Sequence, residues 1–365
     1  MKIEVLQEQF IEGLQIVSRA VASRAQLPAL SHVLIEATKE GITLSATDLE
    51  IGIKTKVAAK VIVEGEVCVP AKMFGEFLGS LNPGKVELSS EGTKVTLTAP
   101  GYNGKFQAIE TQEFPHIPAI VTGGEICELP VSSLTGSIER VIFACAKDSL
   151  RPVLTGILLE FEQKKIRFVT TDGFRLAIEE LAMVAKKEQP PLLVPARAVM
   201  EAVRLTGSEK VILGYIESTN QIYFKVGETL VVSQLLAGNF PDYSKILPKE
   251  FDTELTASKD ELLQAIKACY IFARDNSNMV KWGASQGKLV LKSSSPERGE
   301  CRVEVPITLE GEPLEITYNA KYILEYLMIV GGERVWMGMG DKLAPGMMRE
   351  ERGKGGQYVV MPINA

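Results

Sequence analysis

Two carboxylates stand at matching places in the chain, Asp48 after Thr47 and Asp172 after Thr171, 124 positions apart. A carboxylate pair does general acid–base chemistry when both members converge on one pocket. Equivalent places in successive repeats usually lie a domain apart, which favours an Asp that accepts backbone N–H groups at a turn. The stretch Gly79-Ser80-Leu81-Asn82-Pro83-Gly84-Lys85 has the spacing of a phosphate-binding loop. It is followed by Val86, which has no hydroxyl for Mg²⁺, and it runs from a helix pattern into a strand, the reverse of the order such a loop needs. A turn after a helix explains it better. His32 and His116 are distant, and Cys68, Cys127, Cys145, Cys269 and Cys301 are scattered through apolar runs. They read as reduced core thiols, with no metal site and no cofactor implied. Together, Gly79 to Lys85 and the Thr-Asp turns keep open a second reading, an enzyme acting on a phosphorylated substrate.

The other chemistry-bearing residues are cations. The phrase Val69-Pro70-Ala71-Lys72 returns as Val194-Pro195-Ala196-Arg197 and as Tyr318-Asn319-Ala320-Lys321, the alanines 125 and then 124 positions apart. Such a period fixes architecture before any local motif does. Each phrase opens a helical pattern, with Phe74, Phe77 and Leu78, then Val199, Ala202 and Val203, then Ile323, Tyr326 and Leu327 on one face. The prolines suit a first helical turn and Asn319 suits a cap. Lys72, Arg197 and Lys321 sit where the helix dipole is positive, at a cost of about 0.3–1 kcal/mol. Glu76, Glu201 and Glu325 four residues on offer ion pairs of about 0.2–0.5 kcal/mol, in the poorer orientation. Two readings stay open: solvated ion pairs, or cations held ready for an external anion.

Further elements follow the same period. His32 to Glu36 with Ile42 to Asp48 is echoed by Gly156 to Glu160 with Ile166 to Asp172, each a β-hairpin pattern, and the third copy drifts at Ser293-Ser294-Ser295-Pro296. An amphipathic helix opens each repeat, at Gln7 to Ser23, Val131 to Lys147 and Ser258 to Arg274, and Ser258 with Glu261 forms a capping box. Further strands are expected at Lys85 to Ala99, Lys210 to Val226 and Arg334 to Met339. Pro118 and Pro248 mark extended linkers. The parse is three domains, 1–121, 122–247 and 248–365, each an α+β layer of two helices on antiparallel sheet, with more strand than helix.

At 365 residues with 45% hydrophobic and 24% charged residues, the chain is globular and long enough for two or three domains. It has no run of 18 apolar residues, and Glu4, Gln7 and Glu8 stand where a signal peptide needs an apolar core. The expectation is a cytoplasmic protein without a membrane partner. The net charge of −6 excludes a wholly basic surface but allows a local basic stripe. Arg19 and Arg24, Arg140 and Lys147, and Lys267 and Arg274 gather cations toward the ends of the repeat-opening helices. Helix dipoles account for part of that bias, and a surface that meets phosphates without reading bases accounts for the rest.

Several phrases together resemble a known family: Ala46-Thr47-Asp48-Leu49-Glu50, Thr171-Asp172-Gly173-Phe174-Arg175-Leu176-Ala177, Asn239-Phe240-Pro241-Asp242-Tyr243 and Tyr358-Val359-Val360-Met361-Pro362-Ile363. They look like the bacterial DNA polymerase III beta subunits, the sliding clamps. The resemblance implies three tandem clamp domains forming half of a closed ring, a head-to-tail homodimer around double-stranded DNA. It implies a processivity factor that tethers the replicative polymerase and has no catalysis of its own. A clamp paralogue with altered partners is a further possibility. DNA-touching positions would fall on Arg24, Lys72 and the loop Asp148 to Val153, with Arg197 and Lys321 added by the repeat. Pro152 and Val153 replace the aromatic pair of familiar members, which puts aromatic DNA contacts there in doubt. The cleft for polymerase and clamp-loader peptides would comprise Leu154, Thr171, Gly173, Phe174, Arg175, Leu176, Pro241, Ile246, Val359, Val360, Met361, Pro362 and Ile363. Phe174 stands where His is usual. Phe106, Ile271 and Phe272 would form the dimer seam.

Overall fold

The computed structural model describes residues 1–22, 27–118, 124–148, 150–205, 208–297, 299–353 and 356–364. Arg24, the expected end of the first helix at Ser23 and the expected boundary at 121 lie outside the described residues. Among the described residues there are six α-helices: α1 (Gln7–Ser18), α2 (Ala71–Ser80), α3 (Val131–Ile142), α4 (Ala196–Val203), α5 (Lys259–Ala273) and α6 (Ala320–Leu327). Strands outnumber them, as the alternating patterns predict.

The chain forms two compact units, one of Met1–Ser132 with Arg197–Leu235 and one of Ser133–Ala196 with Leu236–Ala365. The first holds a five-stranded sheet, in the order 60–63, 2–6, 85–91, 94–99, 102–107, and an eight-stranded sheet. The eight-stranded order is 125–130, 210–216, 221–226, 229–234, 51–57, 41–47, 32–38, 65–70. The second unit holds a twelve-stranded sheet. Strands 192–195, 156–161, 165–171 and 175–182 are followed in it by 357–360, 346–350, 334–339, 253–258, 299–311, 288–295, 279–285 and 314–319. The ladders are antiparallel throughout.

The three repeated phrases take one form. Pro70, Pro195 and Asn319 each end an edge strand, and the helix begins at the next residue. The prolines therefore sit one position before the first helical turn, where an edge strand tolerates the missing N–H. Asn319 caps α6 by accepting from Lys321 N at 3.0 Å, and Ser258 caps α5 by accepting from Glu261 N at 3.5 Å. Helix faces follow the apolar spacing, with Phe74 and Leu78 of α2 and Leu262, Ile266 and Cys269 of α5 buried. Phe74 meets Phe10 of α1 edge to face at 5.6 Å between centroids, and burying a ring of that size contributes about 1.5–3 kcal/mol.

Two helices are shorter than their periodicity predicts. After α1, Ala20 N and Val21 N turn to the carbonyls of Val17 and Ser18, and Ala22 N bonds Leu30 O at 3.0 Å. After α3 the same happens at Ala144 and Cys145, and Ala146 N bonds Leu154 O at 2.9 Å. A tightened last turn hands each chain to a short 3₁₀ turn just before a strand, Pro28–Ser31 in one case and Pro152–Thr155 in the other, which helical periodicity does not reveal.

Candidate functional site

The two Thr-Asp stretches are turns, as expected. Asp48 Oδ1 accepts from Glu50 N and Ile51 N at 3.1 and 2.9 Å, and Asp172 Oδ1 accepts from Phe174 N and Arg175 N at 2.9 and 3.1 Å. Gly79 to Lys85 is also a turn, from α2 into strand 85–91, where Gly84 has φ +140° and Lys85 Nζ is 2.6 Å from Glu4 Oε2. Among the described residues no cluster of three potential metal ligands occurs.

Of the two readings of the helix-opening cations, the i,i+4 ion pairs do not form among the described residues. Glu201 is buried and pairs with Arg204 at 2.9 Å, while Arg197 pairs with Asp48 and donates to Arg19 O at 3.0 Å. Glu325 pairs with Arg175 at 2.5 Å. Packing turns these carboxylates toward other partners, and Lys72 and Lys321 are exposed with no carboxylate within 4.0 Å among the described residues.

Around the second turn, strand 175–182 pairs with strand 357–360, setting Leu176 opposite Val359 and Arg175 opposite Val360. Strand alternation therefore splits the expected cleft residues between two faces. Leu176 and Val359 join Leu158, Val169, Leu193, Trp336 and Met347 in one apolar cluster, with Val153, Phe240 and Tyr243 packed against it. Met361 N bonds Phe174 O at 2.9 Å, so the terminal segment continues this edge. Ile363 N bonds Thr317 O at 2.8 Å. Phe174, Ile246 and Met361 are 59%, 43% and 38% exposed, large apolar side chains in water. Leu154 and Thr171 are buried, Gly173 and Pro241 exposed, and Pro362 half-buried. Pro241 borders a cavity of about 430 Å³ with Leu158, Leu193, Gly238, Phe240 and Tyr243.

Arg175 lies on the other face. Its guanidinium bonds Asp172 Oδ2 at 2.9 Å, Glu325 Oε2 at 2.5 Å and Phe143 O at 2.6 Å, and it lies 4.4 Å from the Tyr322 ring centroid. Burial opposes its charge, but Tyr358, Glu325 and Asp172 outweigh burial and hold its pKa above the ordinary value. In the loop before the cleft, Asp148 caps its own turn by accepting from Leu150 N at 3.2 Å, and Pro152 is exposed. Phe106 is only 7% exposed, packed on Phe74 and Phe77, whereas Ile271 is 55% exposed and Phe272 half-buried.

Sequence reasoning left Phe240, Tyr243, Trp336 and Met347 out of the site. The Phe240-Pro241 phrase signalled the first two, because aromatic residues beside a proline in a linker need a surface to cover. Tyr243 O–H donates to Glu160 at 2.5 Å, and burial and then that bond push its phenol up to about 12.

Family models for the N-terminal, central and C-terminal domains of the DNA polymerase III beta subunit match residues 1–118, 128–242 and 244–364. The chain belongs to the DNA polymerase III beta subunit family. A beta sliding clamp of Pseudomonas putida is 28% identical over the whole of both chains. The DNA polymerase sliding clamp of Bacillus subtilis superposes with a TM-score of 0.94 at 25% identity, over 100% of this chain and 99% of that one. A sliding clamp of Pseudomonas aeruginosa, solved bound to griselimycin, superposes with a TM-score of 0.93 at 28% identity over the whole of both chains. Membership in the DNA polymerase III beta subunit family makes the chain a sliding clamp, a non-catalytic accessory subunit, and sets aside the enzymatic reading of Asp48, Asp172 and Gly79 to Lys85.

Proposed function

We propose that this clamp captures polymerase and clamp-loader peptides on the apolar surface that runs from Leu176 and Val359 to Met361. The observation that carries the reading is the gathering of exposed Phe174 and Met361, joined by a backbone hydrogen bond, at the edge of that cluster. Solvent-exposed apolar groups beside a groove are what a short peptide needs for anchoring. Leu154, Thr171, Gly173, Pro241, Ile246, Pro362 and Ile363 complete the cleft, while Arg175 and Val360 stiffen it from behind. Phe174 offers a ring where a titrating His is usual, and favours peptides with an apolar residue at that contact.

The ring assignments belong to the same proposal. Two copies join head to tail, strand 102–107 with Phe106 in one copy meeting the Ile271 and Phe272 surface of the other. Duplex DNA passes through, attracted by Lys72, Lys321 and Arg24 and touched by the loop from Asp148 to Pro152 and Val153. Arg197, tied to Asp48, contributes less than the two lysines. Domain boundaries fall near 121 and 247, and the ring acts in the cytoplasm.

Titrating a fluorescent polymerase-tail peptide onto wild type and Met361→Ala tests the cleft. A loss of about tenfold, worth about 1.4 kcal/mol, is expected with the dimer intact; unchanged affinity removes Met361 from the site. Loading onto a nicked circular plasmid followed by linearisation tests the ring, since a topological clamp slides off free ends and a clamp that stays on linear DNA at low salt is not one.

A further inference from the structure

Cys269 on α5 and Cys301 on strand 299–311 place their sulfurs 3.8 Å apart. Their setting is fixed by two further contacts. Cys301 lies opposite Ser293 in the strand register, and Ser293 Oγ donates to Cys269 O at 2.8 Å, so helix and hairpin are clamped together beside the thiols. Cys269 is fully buried and Cys301 half-buried.

We infer that Cys269 and Cys301 form an oxidation site that a peroxide converts into an intramolecular disulfide. A disulfide needs sulfurs at about 2.05 Å, so closure asks for a shift of about 1.8 Å, within reach of side-chain rotation and a small slide of α5. The accessible sulfur reacts first. Cys301 Sγ attacks one peroxide oxygen, the O–O bond breaks, and the departing hydroxide takes the thiol proton to leave as water. Cys269 Sγ then attacks the resulting sulfenic sulfur, the S–O bond breaks, and a second water leaves with the Cys269 proton. Two electrons pass from the two sulfurs to the peroxide. Burial, and next the neighbouring Cys301, push the Cys269 thiol up to about 12, so Cys269 is not the sulfur that meets the peroxide, and its attack on the sulfenic sulfur depends on the contact between the two side chains. Where disulfides arise in reducing compartments they are usually transient and redox-sensing, and a pair of contacting thiols meets that description.

The test uses the full-length protein and hydrogen peroxide. After treatment, thiol titration in denaturant is expected to fall from five to about three, and peptide mapping to link Cys269 with Cys301. Cys269→Ser, which lacks the second thiol, is expected to accumulate a Cys301 sulfenic acid that dimedone traps, and Cys301→Ser to keep all four remaining thiols. A wild-type count that stays at five overturns the inference. So does a disulfide that maps to Cys68, Cys127 or Cys145 or joins two copies, or a Cys301 driven to sulfinic acid beside a reduced Cys269. The wild-type map decides the matter even if a variant does not fold.

Discussion

In the first repeat Thr47 Oγ1 donates to Ile51 O at 2.9 Å, and in the second Thr171 Oγ1 donates to Arg175 O at 2.6 Å. The third residue of each turn is left-handed, Leu49 at φ +79° and Gly173 at φ +92°. One backbone thus appears twice, 124 residues apart, and its surroundings differ. The fifth position is Ile51 in an apolar setting and Arg175 among Asp172, Glu325 and Phe143 O, both nearly inaccessible. The fourth is Glu50 in one copy and the exposed ring of Phe174 in the other. Short-range hydrogen bonds fix a turn, and distant partners decide what that turn can carry. A buried guanidinium is tolerated only because the second site supplies its acceptors.

The largest effect is expected from Arg175→Ala. It leaves Glu325 and Asp172 without their buried partner, and a loss of about 3–5 kcal/mol is expected in urea denaturation. A loss near that of an exposed ion pair would mean that the network is incidental. The Asp pair comes next. Each substitution removes the acceptor of two backbone N–H groups; Asp172→Ala also removes a charge partner of the buried Arg175, for about 2–3 kcal/mol, whereas Asp48→Ala frees only an exposed Arg197 and is expected to cost about 1–2 kcal/mol. Equal losses would make the two turns energetically alike.

The left-handed position carries an effect of similar size. An added Cβ at Gly173 would stand 2.8 Å from Arg151 Nη1, and Gly173→Ala is expected to cost about 1–3 kcal/mol. Leu49→Gly relieves the same backbone strain and is expected to gain up to about 1 kcal/mol by thermal unfolding. The smallest effect is on pH. Glu180 is held below the ordinary carboxylate range, first by the Lys165 hydrogen bond and then by Arg167. A lowered folded value means that its contribution is present above the unfolded carboxylate value and fades as pH falls through the folded one. Glu180→Gln should therefore flatten the acid limb of stability against pH while costing about 0–1 kcal/mol at neutrality, since the pair is partly exposed.

The threefold period, the helix starts at each repeated phrase, the hairpins and the two Thr-Asp turns are all written in the sequence. These depend on alternation, caps and side chains that reach their own backbone, all written within a few residues. The folded chain alone reveals that strand 229–234 pairs with 51–57 and strand 175–182 with 357–360, so that sheets run across the repeats. It also decided that Glu201 and Glu325 leave the cations beside them for Arg204 and Arg175, and that Arg175 faces away from Leu176. Register and burial between segments far apart in the chain set those outcomes, because a charge or an apolar side chain takes whichever partner the fold brings within a few ångströms, and no local pattern records which one that is.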